Sequence, residues 1–103
     1  MFEINGITWR IKFVVIDHPI LQRQDGTWSI AACDNETKTI YLANDLHGSL
    51  LKKAICHEVA HAAMFSYDVV LSYDQEELLA DLLATYGEEI IEIANMIFSK
   101  LLG

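Results

Sequence analysis

The sequence predicts an α+β fold, in which a small three-stranded antiparallel sheet precedes two or three helices. Apolar and polar residues alternate in residues 7–13, 27–33 and 37–43, and the period lengthens to helical spacing from about residue 48. The composition, 52% hydrophobic and 21% charged, is typical of a globular chain. At this length we expect a single domain over residues 1–103.

Each predicted strand is a short alternating run bounded by a turn signal. The apolar residues of the first run fall on one side of a strand and are Ile7, Trp9, Ile11 and Phe13. Asp25-Gly26 predicts a turn before the second run, and residues 34–36 predict a hairpin loop after it. Trp9 and Trp28 lie on apolar faces, so both are expected in the core.

The second half of the chain predicts helices over residues 48–67 and 75–102. Ser72 and Gln75 have the spacing of a capping box, and Gly87 either ends one helix or weakens a long one. The last helix carries a broad apolar stripe, for which core packing is the first explanation. A homodimer through this C-terminal helix is the second explanation.

Charge and composition exclude several classes of protein. The formal net charge of −8 and seven scattered basic residues argue against a nucleic-acid partner. No apolar run approaches the roughly 20 residues needed to span a bilayer, and the N-terminal residues do not resemble a signal peptide. We therefore predict a cytoplasmic protein without a membrane partner, whose Cys33 and Cys56 are free thiols.

Helical residues four apart share a face, so the imidazoles of His57 and His61 can both reach one zinc ion, while Glu58 can reach a water on that ion without binding the metal itself. This is the H-E-x-x-H arrangement of zinc peptidases. The alternative is two histidines on the solvent side of an amphipathic helix, with Glu58 as a surface charge.

A third ligand is expected from the start of the last helix. Catalytic zinc usually takes three protein ligands, and Glu77 follows His61 by sixteen residues. Asp81 lies one turn beyond Glu77 and would accept the other N–H of a metal-binding histidine, most naturally His57. Glu76 competes with Glu77, but position 80 is alanine. The alternative for Glu77 and Asp81 is an exposed acidic first turn that complements the helix dipole.

Residues 37–86, with HEVAH followed by Glu77 and Asp81, resemble a gluzincin-type zinc metallopeptidase. The compact arrangement is similar to the ImmA/IrrE-like metallopeptidases of bacterial and phage genomes. The resemblance implies a minimal zincin-like domain, in which His57, His61 and Glu77 bind one zinc ion and Glu58 is the catalytic base.

The expected function is hydrolysis of peptide bonds in a protein substrate, with a zinc-activated water and Glu58 as general base. Tyr67 and Tyr73 are candidates for oxyanion stabilisation because they lie between the two motifs. An extended substrate would pair with a sheet edge, for which residues 39–42 are the candidate. The alternative function is a non-catalytic, zinc-stabilised interaction module with the same ligands. Histidine and carboxylate ligands also suit cobalt, manganese and iron.

Overall fold

A computed structural model describes residues 1–103 and has the expected α+β class, but its sheet is mixed and has four strands. The strands are β1 (Phe2–Ile4), β2 (Ile7–Val14), β3 (Ala31–Asp34) and β4 (Thr39–Ala43), and a 3-10 helix spans Pro19–Leu21. Two helices follow, α1 (Gly48–Ser66) and α2 (Tyr73–Leu102). The prediction of three antiparallel strands was therefore wrong in both number and direction.

The extra strand is β1, which pairs antiparallel with β2 and brings Phe2 opposite Trp9. The two strands are joined by Asn5 and Gly6, whose φ angles are 50° and 77°. Positive φ at both central residues is the requirement of the tight type I′ hairpin turn, and Asn-Gly is its preferred sequence. The signal for this hairpin was present in the sequence, but the alternating pattern of β1 is only three residues long.

The direction of pairing changes at the centre of the sheet, where β2 and β4 are parallel. The strand order is β1-β2-β4-β3, so β4 is a central strand and β3 forms an edge. Residues 15–30 carry the chain from the end of β2 to the start of β3, one strand position beyond its neighbour in the sheet. β3 then runs back antiparallel, so β4 enters between them parallel to β2. Ile40 and Leu42 of β4 are almost fully buried, as expected for a central strand.

The second predicted strand is much shorter than its alternating pattern suggested. Only its end lies in β3, and Trp28 makes an isolated bridge to Gln22 instead. The backbone N–H of Ser29 donates to the carbonyl of Leu21 at 2.7 Å, which fixes a loop before the strand. Trp28 is 49% exposed, so its predicted core position was wrong.

The main core forms where α1 packs on the sheet. Trp9, Ile40 and Leu42 meet the small side chains of Ala54 and Ala62, which allow the helix to approach closely. The indole N–H of Trp9 donates to Ser66 Oγ at 2.8 Å within this core. This packing fixes α1, and with it the histidine-bearing face, against the sheet.

Helix α2 starts with the predicted capping box, in which Ser72 and Gln75 satisfy each other's backbone N–H groups. It then runs for 30 residues through Gly87 without a break, about 45 Å at 1.5 Å per residue. The whole molecule measures 52 × 30 × 27 Å, so α2 accounts for its long dimension. Neither helix is both long and apolar enough to cross a membrane.

Candidate metal centre

His57 and His61 lie one turn apart on α1, where helical geometry brings their rings together. Their Nε2 atoms are 3.2 Å apart, and the ring centroids are separated by 4.9 Å. The side chain of His61 is 10% exposed and that of His57 is 20% exposed. The two nitrogens therefore face the same small space at the edge of the core.

Glu77, from the second turn of α2, closes the third side of this space. One carboxylate oxygen lies 2.7 Å from Nε2 of His61, and the other lies 3.5 Å from Nε2 of His57. The ligand atoms of the three residues all lie within 4.8 Å of one another. The structure thus positions His57, His61 and Glu77 to hold one metal ion.

The opposite ring nitrogens each face a second carboxylate. Nδ1 of His57 lies 2.9 Å from Asp81, in the pairing expected from the sequence. Nδ1 of His61 lies 2.7 Å from Glu76, a pairing that the sequence reasoning missed. The alanine at position 80 does not exclude Glu76, because neighbouring helix residues point about 100° apart. Glu76 and Glu77 can therefore contact different sides of one imidazole.

The contacts at Nδ1 favour one tautomer of each neutral ring. When the proton is on Nδ1, the carboxylate accepts that N–H, and the lone pair of Nε2 is directed into the shared space. Two lone pairs and the Glu77 carboxylate then converge without a hydrogen-bond donor among them. Three acceptors in contact repel one another, and a cation between them relieves the repulsion.

The spacings also fit the donor set of zinc. Tetrahedral ligands at 2.0–2.1 Å are separated from each other by about 3.3 Å. The 3.2 Å between the two Nε2 atoms is close to this value. The nearest contacts of Glu77, 3.5 Å to His57 and 2.7 Å to His61, are made by its two different carboxylate oxygens. Two nitrogens and one carboxylate oxygen, with one side left to a cavity, are typical of catalytic zinc sites.

Glu58 lies beside the ligands and is only 6% exposed. Desolvation by burial raises the pKa of its carboxyl group, an effect opposed by His61 and His57 and reinforced by Glu77. Its carboxylate takes part in none of the side-chain hydrogen bonds or ion pairs of the cluster. This leaves its oxygens available to a group that enters the neighbouring cavity.

An open cavity of about 340 Å³ lies over His57, Glu58 and His61. The edge strand supplies part of its wall through Ala31, Ala32 and Cys33. The remaining walls bring further polar groups to the opening, including Arg23 and Tyr73. Of the two tyrosines considered from the sequence, Tyr73 lines this cavity and Tyr67 does not.

The two cysteines are free and play no part in the ligand set. Cys33 lines the cavity, and burial together with the nearby Glu58 and Glu76 raises the pKa of its thiol. Cys56 lies on a different face of α1, where its thiol is 3.7 Å from the carbonyl oxygen of Leu83. Its neighbouring position to His57 therefore does not bring it to the metal site.

The fold and this cluster define a small α+β domain with a three-residue site for a metal ion on adjoining helices. Comparison of the chain with protein-family models, curated proteins and solved structures found no match. The resemblance to gluzincin peptidases therefore depends on the motif residues and remains a prediction.

Proposed function

We propose that this chain is a zinc-dependent metallopeptidase that hydrolyses peptide bonds in a protein substrate. One observation carries the proposal: three residues positioned to hold a metal ion converge next to the buried, unpaired carboxylate of Glu58, at the floor of an open cavity. A zinc ion held by these ligands would acidify a water molecule and polarise a substrate carbonyl.

Glu58 is proposed as the general base. It is buried beside the ligand group and lines the cavity, where burial strengthens its interaction with a proton donor. It would take a proton from the attacking water and deliver it to the leaving amine. Because Glu58 points into the cavity without a protein partner, no internal ion pair has to break first.

His57 and His61 have a second task, which is to remain in the tautomer that presents Nε2. Asp81 and Glu76 maintain that tautomer through the contacts at Nδ1. Both carboxylates come from α2, as does Glu77. The site therefore depends on the docking of α2 against α1, and the two helices fix the ligands more rigidly than loops would.

The substrate is proposed to lie along β3. Residues 39–42, the edge expected from the sequence, belong to β4 and are paired on both sides, so that expectation was wrong. β3 has one free edge, and its residues line the cavity. An extended peptide added at this edge would run past the metal site, held by backbone hydrogen bonds.

The alternative, a non-catalytic zinc-stabilised module, has less support from the site. Structural zinc usually has four protein ligands and often uses cysteine. Here the ligand group has three members, and Cys33 and Cys56 lie outside it. A buried carboxylate that opens into a cavity also has a catalytic use but costs stability in a purely structural site.

The first experiment measures zinc by elemental analysis of wild type, His57→Ala and His47→Ala. His47 precedes α1 and is outside the ligand group, so it is the matched control. We expect about one zinc per chain in wild type and in His47→Ala, and a loss in His57→Ala. Equal zinc contents in all three proteins, or no zinc in wild type after reconstitution, would overturn the proposal that these residues bind zinc.

The second experiment separates catalysis from structural binding. Wild type and Glu58→Gln, both loaded with zinc, are incubated with a peptide library, and cleavage is followed by mass spectrometry. We expect Glu58→Gln to keep zinc and lose a factor of about 10²–10⁴ in rate, the usual contribution of a general base. Equal cleavage by both proteins, or none by wild type, would contradict the peptidase proposal and favour the structural module.

A further inference from the structure

The outer part of α2 has an apolar face that the rest of the chain leaves uncovered. Between Leu83 and Leu102, ten large apolar side chains are each at least 39% exposed. Five of them follow at alternating spacings of three and four residues: Leu83, Tyr86, Ile90, Ile93 and Ile97. This is the spacing at which one helix packs along another. Ile91, Phe98 and Leu101 widen the same face.

A groove next to this face is ready to receive apolar side chains. It has a volume of about 670 Å³ and lies between α1 and α2. Its walls include the small residues Ala60, Ala63 and Gly87, which leave room beside Ile91. Such grooves between helices commonly take an amphipathic helix from a partner.

We infer that α2 mediates an antiparallel homodimer, in which the last turns of each α2 enter the groove of the other copy. The arrangement is self-complementary, because each copy offers one groove and one apolar helix end. Such a two-fold, isologous contact is the commonest form of homo-oligomer.

The exposed area is large enough for a stable dimer. At roughly 100 Å² of exposed area for each large side chain, the ten residues present about 1,000 Å² of apolar surface. A specific interface of standard size buries about 800 Å² on each partner. An uncovered apolar surface of this extent is unusual on a protein that functions as a monomer.

The charges favour the antiparallel direction. At the inner end of this segment Glu88 pairs with Lys52 at 2.9 Å, while Glu89 and Glu92 have no ion-pair partner. Lys100 lies at the outer end. A parallel pair would place the acidic ends together. Glu89 and Lys100 are eleven residues apart, about 20° on a helical projection, so they occupy one flank of the apolar face. In an antiparallel pair, Lys100 of one copy approaches the acidic end of the other.

The oligomeric state tests this inference through sedimentation velocity of the full chain over a wide concentration range. Ile97→Glu places a charge on the apolar face, while Asn95→Glu places it about 160° away on the helical projection. Both residues are exposed. We expect wild type and Asn95→Glu to form dimers, and Ile97→Glu to raise the dissociation constant about 100-fold or more.

Circular dichroism of both variants verifies that the helices are retained. A monomeric wild type at all concentrations would overturn the inference and leave the face for another protein. A dimer that survives Ile97→Glu, or is lost equally in Asn95→Glu, would show that this face does not form the contact, and would also overturn the inference.

The direction is tested by disulfide formation in a background of Cys33→Ala and Cys56→Ala. Protein carrying Glu89→Cys is mixed with protein carrying Lys100→Cys and oxidised. Mixed disulfides between the two proteins support the antiparallel pair. Dimers that form no mixed disulfide on oxidation would overturn the proposed arrangement.

Discussion

Nδ1 of His61 lies 2.7 Å from the carboxylate of Glu76, and both side chains are largely buried, at 10% and 18% exposure. The corresponding contact of His57 is with Asp81, which is 65% exposed. A charged partner acts more strongly where water is excluded, because screening is weaker there. Glu76 is therefore expected to stabilise the tautomer and orientation of His61 more strongly than Asp81 stabilises those of His57.

This difference predicts the effect of removing each charge. Glu76→Gln keeps an acceptor oxygen near Nδ1 but loses the carboxylate, so zinc affinity should fall about 10–100-fold. Asp81→Asn should lower it less, because solvent already screens that pair. The affinities are measured by competition with a chromophoric chelator.

Asp74→Asn is the matched control for Glu76→Gln, since Asp74 is an exposed acidic residue of the same first turn and outside the cluster. It should leave zinc affinity unchanged. If Asp74→Asn weakened zinc as much as Glu76→Gln, the effect would come from overall charge or the helix dipole rather than from the contact with His61.

The cavity gives the two tyrosines different expected roles. Tyr73 lines the opening over Glu58, whereas Tyr67 lies at the end of α1 outside the cavity lining. If Tyr73 donates its hydroxyl to the developing oxyanion, Tyr73→Phe should lower kcat by about 10²-fold with little change in KM. Tyr67→Phe should retain wild-type kcat. Both kcat values are measured by steady-state kinetics on a cleaved peptide. Equal kcat values for Tyr73→Phe and Tyr67→Phe would contradict this role of Tyr73.

Much of the metal cluster could be predicted from the sequence because its spacing is local. His57 and His61 share one helix, and a helix fixes the relation of residues four apart. Which acidic residue meets which imidazole was harder to predict, because it depends on the rotation of α2 against α1. The sequence alone did not show that Glu76 and Glu77 would both contact His61.

The sheet was predicted less well, because strand pairing is not local. Alternation identified β2 and β4 as strands, but it carries no information about which strands are neighbours. The parallel pairing of β2 with β4 depends on the path of residues 15–30, which have little regular pattern. Only the Asn5-Gly6 turn offered local evidence of the missed hairpin.

The two thiols should react at very different rates. Burial and nearby carboxylates raise the pKa of Cys33, so its thiolate fraction near pH 8 is small. Cys56 is exposed. We expect native Cys33→Ala protein to be alkylated rapidly at Cys56, and native Cys56→Ala protein to resist alkylation until it is unfolded. Mass spectrometry over time measures both rates, and similar rates in the two native proteins would contradict the burial of Cys33.

The buried hydrogen bond from Trp9 to Ser66 is expected to contribute to the stability of the fold. Trp9 is completely buried and Ser66 is 3% exposed, so water cannot readily replace the hydroxyl group. Ser66→Ala leaves the indole N–H without its acceptor, which should lower the free energy of unfolding by about 1–3 kcal/mol. Urea denaturation measures the change.

The control for this variant is Ser49→Ala, which removes an exposed hydroxyl from the first turn of α1. It should change the free energy of unfolding by no more than about 0.5 kcal/mol. Ser66→Thr keeps a hydroxyl at the same position and should retain more stability than Ser66→Ala if the hydrogen bond is the cause. Equal stability of Ser66→Ala and wild type would mean that the indole N–H finds another partner, and that this bond does not hold the end of α1 on β2.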